Sequence, residues 1–458
     1  MARLDDRPGL VEQAIAIGRL GGPTLGFFLV QNLSSLACLS IVGRLGDSVL
    51  AGLGAAGALY GVVLALLYGV DTGVQAMTSR AVGAGAVGAE DAARPGEILT
   101  AAIVGSAAFG AVLAGLTWAF GPQIVALMVS DPAAALDGGR YIAALAPSLL
   151  FLAIVIPIDA GWIGAGRPLA PFLVYALLAP VQVGVTLLLV AGAGPIAPMG
   201  AQGAGLAGSV SALVTIGLQG TLAMRVWPVP GLFARPPRLR LIGKIAAIGW
   251  PVSAQQSLFQ FGLMIAFVII ARLGVASAAV ANVLVSLMTL PIQATTGLGF
   301  AAATLVGQTL GRGEAGEARR WGWRTALAGA ALTGPLGLAA AAAPEPLLGL
   351  FLHDPSSLAL AVWPVRILGL GVGLDAIGRI LGYALRGAGA TKLAAGIPFA
   401  SQWLLQLPLM WVVGVQFGLG ILGVTLVQTG LAGIDGLLMA WIWAGHVWTR
   451  AQVSAGPA

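Results

Sequence analysis

The chain has 458 residues, 58% of them hydrophobic and only 9% charged, with a mean hydropathy of +0.94. A soluble domain carries roughly a quarter charged residues, so this balance excludes a soluble fold for most of the chain. The net charge of +6 invites a nucleic-acid reading that the placement of the basic residues removes, and the single cysteine, Cys38, excludes an intramolecular disulfide framework.

Taken in order, the N-terminal stretch MARLDDRPGLVEQ is polar and lacks a signal-peptide layout, so the first helix is expected to stay. Twelve apolar spans follow, at 14–42, 48–79, 97–120, 139–163, 167–193 and 202–226, then 247–271, 276–308, 318–343, 361–385, 391–416 and 420–447. Each is long enough for the ~20 residues that a membrane helix needs. The expected fold is an all-α integral membrane protein of two pseudo-symmetric six-helix lobes. The lobes are 1–227 and 247–458, with a polar linker at 228–246 stiffened by Pro228, Pro230, Pro236 and Pro237.

The two lobes are readable because the sequence repeats. Gly21 and Pro23 recur as Gly249 and Pro251, Arg44-Leu45-Gly46 as Arg272-Leu273-Gly274, and Gly83 and Gly85 as Gly311 and Gly313, all at one shift of 228. Further on, Asp131-Pro132 recurs as Asp354-Pro355 and Gly164-Ala165-Gly166 as Gly387-Ala388-Gly389. A repeat of this length marks two similar halves, a common construction for membrane transporters.

Orientation follows from the basic residues. With the N-terminus in the cytoplasm, all 23 Lys and Arg except Arg44, Arg140, Arg272, Arg366 and Arg379 fall on or near that side. That is the positive-inside pattern, and it explains the high pI without nucleic acid. The expectation is a multi-pass cell-membrane protein (the inner membrane if bacterial), a monomer, with both termini cytoplasmic.

The segments VGRLGDSVLAGLGAAGALYG and AVGAGAVGAEDAAR, their counterparts ARLGVASAAVANVL and VGQTLGRGEAGEARR, and LDAIGRILGYALRGAGATK resemble the multidrug and toxic compound extrusion (MATE) transporters. The resemblance runs from about Gly21 to Trp443. It implies a V-shaped twelve-helix fold around a central cavity, and efflux of hydrophobic, often cationic, small molecules driven by H+ or Na+.

Charged residues inside a membrane each require a reason, since one at the bilayer centre costs about 2.5–3.5 kcal/mol on insertion scales. The candidates are Asp71, Asp159, Asp375, Arg379 and Asp435. Asp375 lies about 16 Å in from Arg386 at ~1.5 Å per residue, near the midplane, and is the main candidate for ion coupling. Arg379, at i+4, either pairs with it or reaches toward the cytoplasm. Asp159 is equally readable as a wetted helix-end residue, Asp71 as lining a cavity or bonding neighbouring helices, and Asp435 needs a partner that the sequence does not name.

The first span departs from the family pattern. The resemblance puts an acid at the position occupied here by Cys38, leaving Gln31, Asn32, Ser34 and Ser35. In the seventh span a family glutamate is likewise replaced, by Phe259, with Gln255, Gln256 and Gln260 nearby; Asn32 and Gln260 correspond under the 228 shift. The amides Gln31, Asn32, Gln256 and Gln260 are candidates for substrate binding or for bonds between helices. A multi-carboxylate sodium site is therefore not expected, and protons are the expected coupling ion. No cofactor, metal site or enzymatic chemistry is expected: His353 and His446 are isolated, and no G-x-x-x-x-G-K-S/T loop occurs. The alternatives are a flippase of lipid-linked precursors, which would need several basic groups in its cavity, and a channel or non-transporting membrane protein.

Overall fold

Runs of small and aliphatic residues interrupted by Asp-Pro, R-L-G and G-x-G set where helices begin and end in this chain. The computed structural model describes residues 10–87, 94–192, 197–226, 229–352, 354–445 and 448, and all regular structure among them is helical. The first half holds Leu10–Gly43 (α1), Asp47–Ala65 (α2), Tyr68–Ala86 (α3), Pro95–Met128 (α4), Pro132–Leu145 (α5), Pro147–Gly164 (α6), Leu169–Ala191 (α7) and Gly200–Thr221 (α8). The second holds Leu239–Ala271 (α9), Val275–Gly311 (α10), Ala315–Ala342 (α11), Pro344–Leu348 (α12), Pro355–Gly387 (α13), Thr391–Ala400 (α14), Leu407–Leu409 (α15) and Gly420–Ala444 (α16). Eleven stretches among the described residues are long and apolar enough to cross a membrane. The remaining expected span, 391–416, is helical throughout but alternates α14 and α15 with the π-helical turns Ser401–Gln406 and Met410–Gln416. The two histidines lie outside the described residues.

The sequence repeats turn out to be joints. Asp131 and Asp354 are the N-caps of α5 and α13: Asp131 accepts from the Ala133 amide at 3.1 Å and Asp354 from the Ser357 amide at 3.0 Å, with Pro132 and Pro355 at the first helical position. Proline is tolerated there because its missing N–H would have had no helical partner. Hydrogen bonds from the Ser356 hydroxyl and then from Ser357 hold the Asp354 carboxyl down to about 2; the Ser48 hydroxyl (2.7 Å) and the Ala133 amide lower that of Asp131. Just past the ends of α6 and α13, Gly166 and Gly389 both take φ +79°. Their amides bond Ile163 and Arg386 at 2.9 Å, and the next amides, Arg167 and Ala390, reach back to Trp162 and Leu385 at 2.8 Å. A left-handed residue closes each helix, so only glycine sits there without strain.

Two joints have no counterpart: the expected span 139–163 parts at Ala146 into α5 and α6 where α13 runs unbroken, and the other lies between α2 and α3. The stretch 48–79, expected as one helix, breaks at Leu66–Leu67 into α2 and α3, while α10 runs unbroken through the matching region. In a membrane the carbonyls freed by a break need donors. The Ser253 hydroxyl of α9 donates to Leu66 O at 2.6 Å and that of Ser257 to Val62 O at 3.2 Å. The residues matching these serines in α1 are Leu25 and Leu29, which cannot donate, and α10 keeps its own ladder.

Packing divides the chain differently from the repeat. One unit is Gly26–Phe261; the other takes the described residues up to Leu25 and from Gly262 onward. The first unit thus includes the starting half of α9, whose Leu241 and Ile245 join Ile98, Leu99 and Trp162 in its core. The linker belongs to it too. The Phe233 amide bonds the Thr100 hydroxyl at 2.9 Å, and Arg235 (3.2 Å) and Arg238 (3.6 Å) pair with the largely buried Glu97 at the start of α4.

Candidate functional site

In the Gly26–Phe261 unit, the apolar run of α6 carries Asp159 into the interior, where only 7% of the residue is exposed. It is therefore not a wetted helix end. The Gln219 amide of α8 donates to Oδ1 at 2.8 Å and the Tyr175 hydroxyl of α7 lies 3.4 Å from Oδ2. Tyr175 also bonds Gln31 of α1, and its ring is fixed edge-on against Phe27 at 4.7 Å. Asp71 of α3 is near enough to act on Asp159 electrostatically. Among the described residues no Lys or Arg pairs with Asp159. Beside this chain of groups is a pocket of about 30 Å³, lined by Gln31, Ser34, Tyr175, Gln182, Ser211 and Thr215. That is room for one or two waters.

Asn32 and Cys38 each meet a group on a helix. Asn32 turns its side chain back to Phe28 O at 3.0 Å, and Gln260 lies against Gly61 of the same unit; Gln256 is half-buried. Cys38, where the resemblance puts an acid, has its Sγ 3.4 Å from the Thr186 hydroxyl.

The second constellation belongs to the other unit. Arg379 pairs with Asp375 one turn away on α13, Nε to Oδ2 at 2.6 Å. Asp435 of α16 bonds Ser401, the first residue of a π-helical turn, and both acids act on Arg379. The structure therefore brings Asp375, Arg379 and Asp435 together in one unit, and Asp159, Asp71 and Gln31 together in the other. Tyr175, Gln219 and Ser401 complete these groups without having been marked in the sequence; the readable signal was a polar tip inside an apolar span.

The sequence pattern of the MatE family matches residues 23–188 and again 251–412, two copies offset as the internal repeat is. The chain belongs to the MatE family. MatE proteins are membrane transporters of small molecules, not enzymes. Relatives named "Probable multidrug resistance protein NorM" occur in Bradyrhizobium diazoefficiens, 26% identical over 91% of this chain and 90% of the relative, and in Thermotoga maritima, 24% identical over 88% and 86%. Among MATE structures, the eukaryotic transporter AtDTX14 superposes with a TM-score of 0.82 at 18% identity, covering 97% of this chain and 98% of that one. Vibrio cholerae VcmN in the bent form also gives 0.82 at 18%, with coverage of 97% and 98%. At these identities the likeness shows the fold, the twelve-helix MATE fold.

Proposed function

We propose that this MatE transporter is a proton-driven antiporter that exports hydrophobic cations by alternating access. Asp159 carries the reading. It is a buried carboxyl held by two neutral donors, beside a second acid, and near a small pocket of mixed polar and apolar lining. A carboxyl with no resident cation can take up and give back a proton, whereas Asp375 is already occupied by Arg379. Coupling is therefore assigned to Asp159 first, with Asp71 as its electrostatic neighbour. Sodium would require several oxygen ligands around one point. Among the described residues no three acidic side chains converge, so the reading favours protons over a multi-carboxylate sodium site. The names of the NorM relatives support multidrug substrates, and a buried acid with unpaired charge supports cationic ones. A pyrophosphate-lipid flippase would need free basic groups, and Arg379 is engaged.

The test is efflux of a fluorescent cation from proteoliposomes under an imposed pH gradient. Asp159→Asn keeps the shape and can still accept from Gln219, while its NH2 can only donate toward the Tyr175 oxygen; it cannot titrate, so efflux should fall at least tenfold at equal protein level. Wild-type transport by Asp159→Asn would remove the assignment. Full activity on a sodium gradient, with the proton gradient collapsed by ionophore, would remove proton coupling.

A further inference from the structure

Helices α13 and α16 approach each other through glycine. A Cβ placed on Gly378 would stand 2.5 Å from the Gly436 Cα, and one on Gly371 would stand 2.4 Å from Thr429. The contact leaves Arg379 and Asp435, each next in sequence to a contact glycine, on a common patch with Asp375. The Asp375 carboxylate is engaged by the Arg379 guanidinium. Asp435 has the Ser401 hydroxyl as its hydrogen-bond partner and shares the same guanidinium electrostatically. One carboxylate thus pairs directly with the cation, and the second acts on it at longer range. The side chains of Arg379 and Asp375 are 42% and 30% exposed, although α13 is among the stretches apolar enough to span the membrane. Hydrocarbon disfavours charges with that much surface, so the pair calls for water or a polar ligand beside it.

We propose that Arg379 is a resident counter-ion occupying the place of the cargo's positive charge, so that a cationic substrate enters by displacing it from Asp375, with Asp435 nearby. Arg379 thereby sets the charge selectivity of the transporter. A purely structural pair would be balanced and buried; this one is partly exposed, with a second acid nearby to attract a monocation. The long arginine stem lets the head group swing away without moving α13. A neutral molecule gains nothing by the exchange and leaves the pair closed.

The proposal rests on cationic cargo but not on coupling, so its test uses equilibrium binding with no gradient. Tetraphenylphosphonium binding to the purified full-length protein in detergent is measured for wild type, Arg379→Gln, Arg379→Lys and Asp435→Asn. Removing the resident cation should tighten binding about tenfold, restoring it as Lys should return binding toward wild type, and removing the second carboxylate should weaken binding about tenfold. Unchanged or weaker binding by Arg379→Gln at wild-type thermal stability would overturn the proposal. So would unchanged binding by Asp435→Asn, a variant that stands if Arg379→Gln does not fold. A failed efflux assay with these shifts intact would count against proton antiport alone.

Discussion

At Asp159 the two neutral donors are unequal. Gln219 is fully buried and donates at 2.8 Å, while the Tyr175 hydroxyl is at 3.4 Å. Leaving a buried acceptor without its donor costs about 1–3 kcal/mol. Gln219→Leu should therefore lower the melting temperature of the detergent-solubilised protein clearly more than Tyr175→Phe. The opposite order would mean that Tyr175 is the main support of the carboxyl. The acids themselves were legible in the sequence, since a charge inside an apolar span stands out whatever its surroundings. Their partners were legible only when local. Arg379 is one helical turn from Asp375 and could be named; Gln219 and Tyr175 are brought to Asp159 by tertiary packing, which no spacing encodes. For the same reason Asp159 read equally well as a wetted helix end until the packing of α6 against α8 put it in the interior.

At the scale of the helix, the joints were the most legible feature. Asp-Pro and G-A-G work through local backbone geometry, so their meaning survives without knowledge of neighbours. The break between α2 and α3 was not legible, because its support comes from serines nearly two hundred residues away on α9. The linker falls between these cases. Its prolines marked it as stiff, but its docking on α4 depends on Glu97, which pairs with both Arg235 and Arg238. Partly exposed pairs are individually weak, about 0–1 kcal/mol. Losing both should nonetheless loosen the strap: in Glu97→Gln, trypsin should cleave after Arg238 several-fold faster than in wild type (Pro236 protects the bond after Arg235). An unchanged cleavage rate, read by mass spectrometry, would assign the docking to the Phe233–Thr100 bond instead.

At the scale of the molecule, the charge pattern makes a directional prediction. Val275 and Leu239 are 89% and 82% exposed at opposite ends of the α9–α10 pair. In a Cys38→Ser background, Val275→Cys should react with a membrane-impermeant maleimide on intact cells, and Leu239→Cys only after permeabilisation. The reverse pattern would invert the proposed topology. The serine bonds from α9 to the broken α2–α3 helix carry a further consequence, for the history of the duplication. A chain made of two first halves in tandem would keep its turns and caps, yet Leu25 and Leu29 would stand where Ser253 and Ser257 donate, leaving the Leu66 carbonyl unanswered. A chain made of two second halves would hold those serines against an unbroken helix whose carbonyls are already bonded within it. The halves are no longer interchangeable: the second carries the donors that the first half's broken helix needs, and copying the first would not restore them.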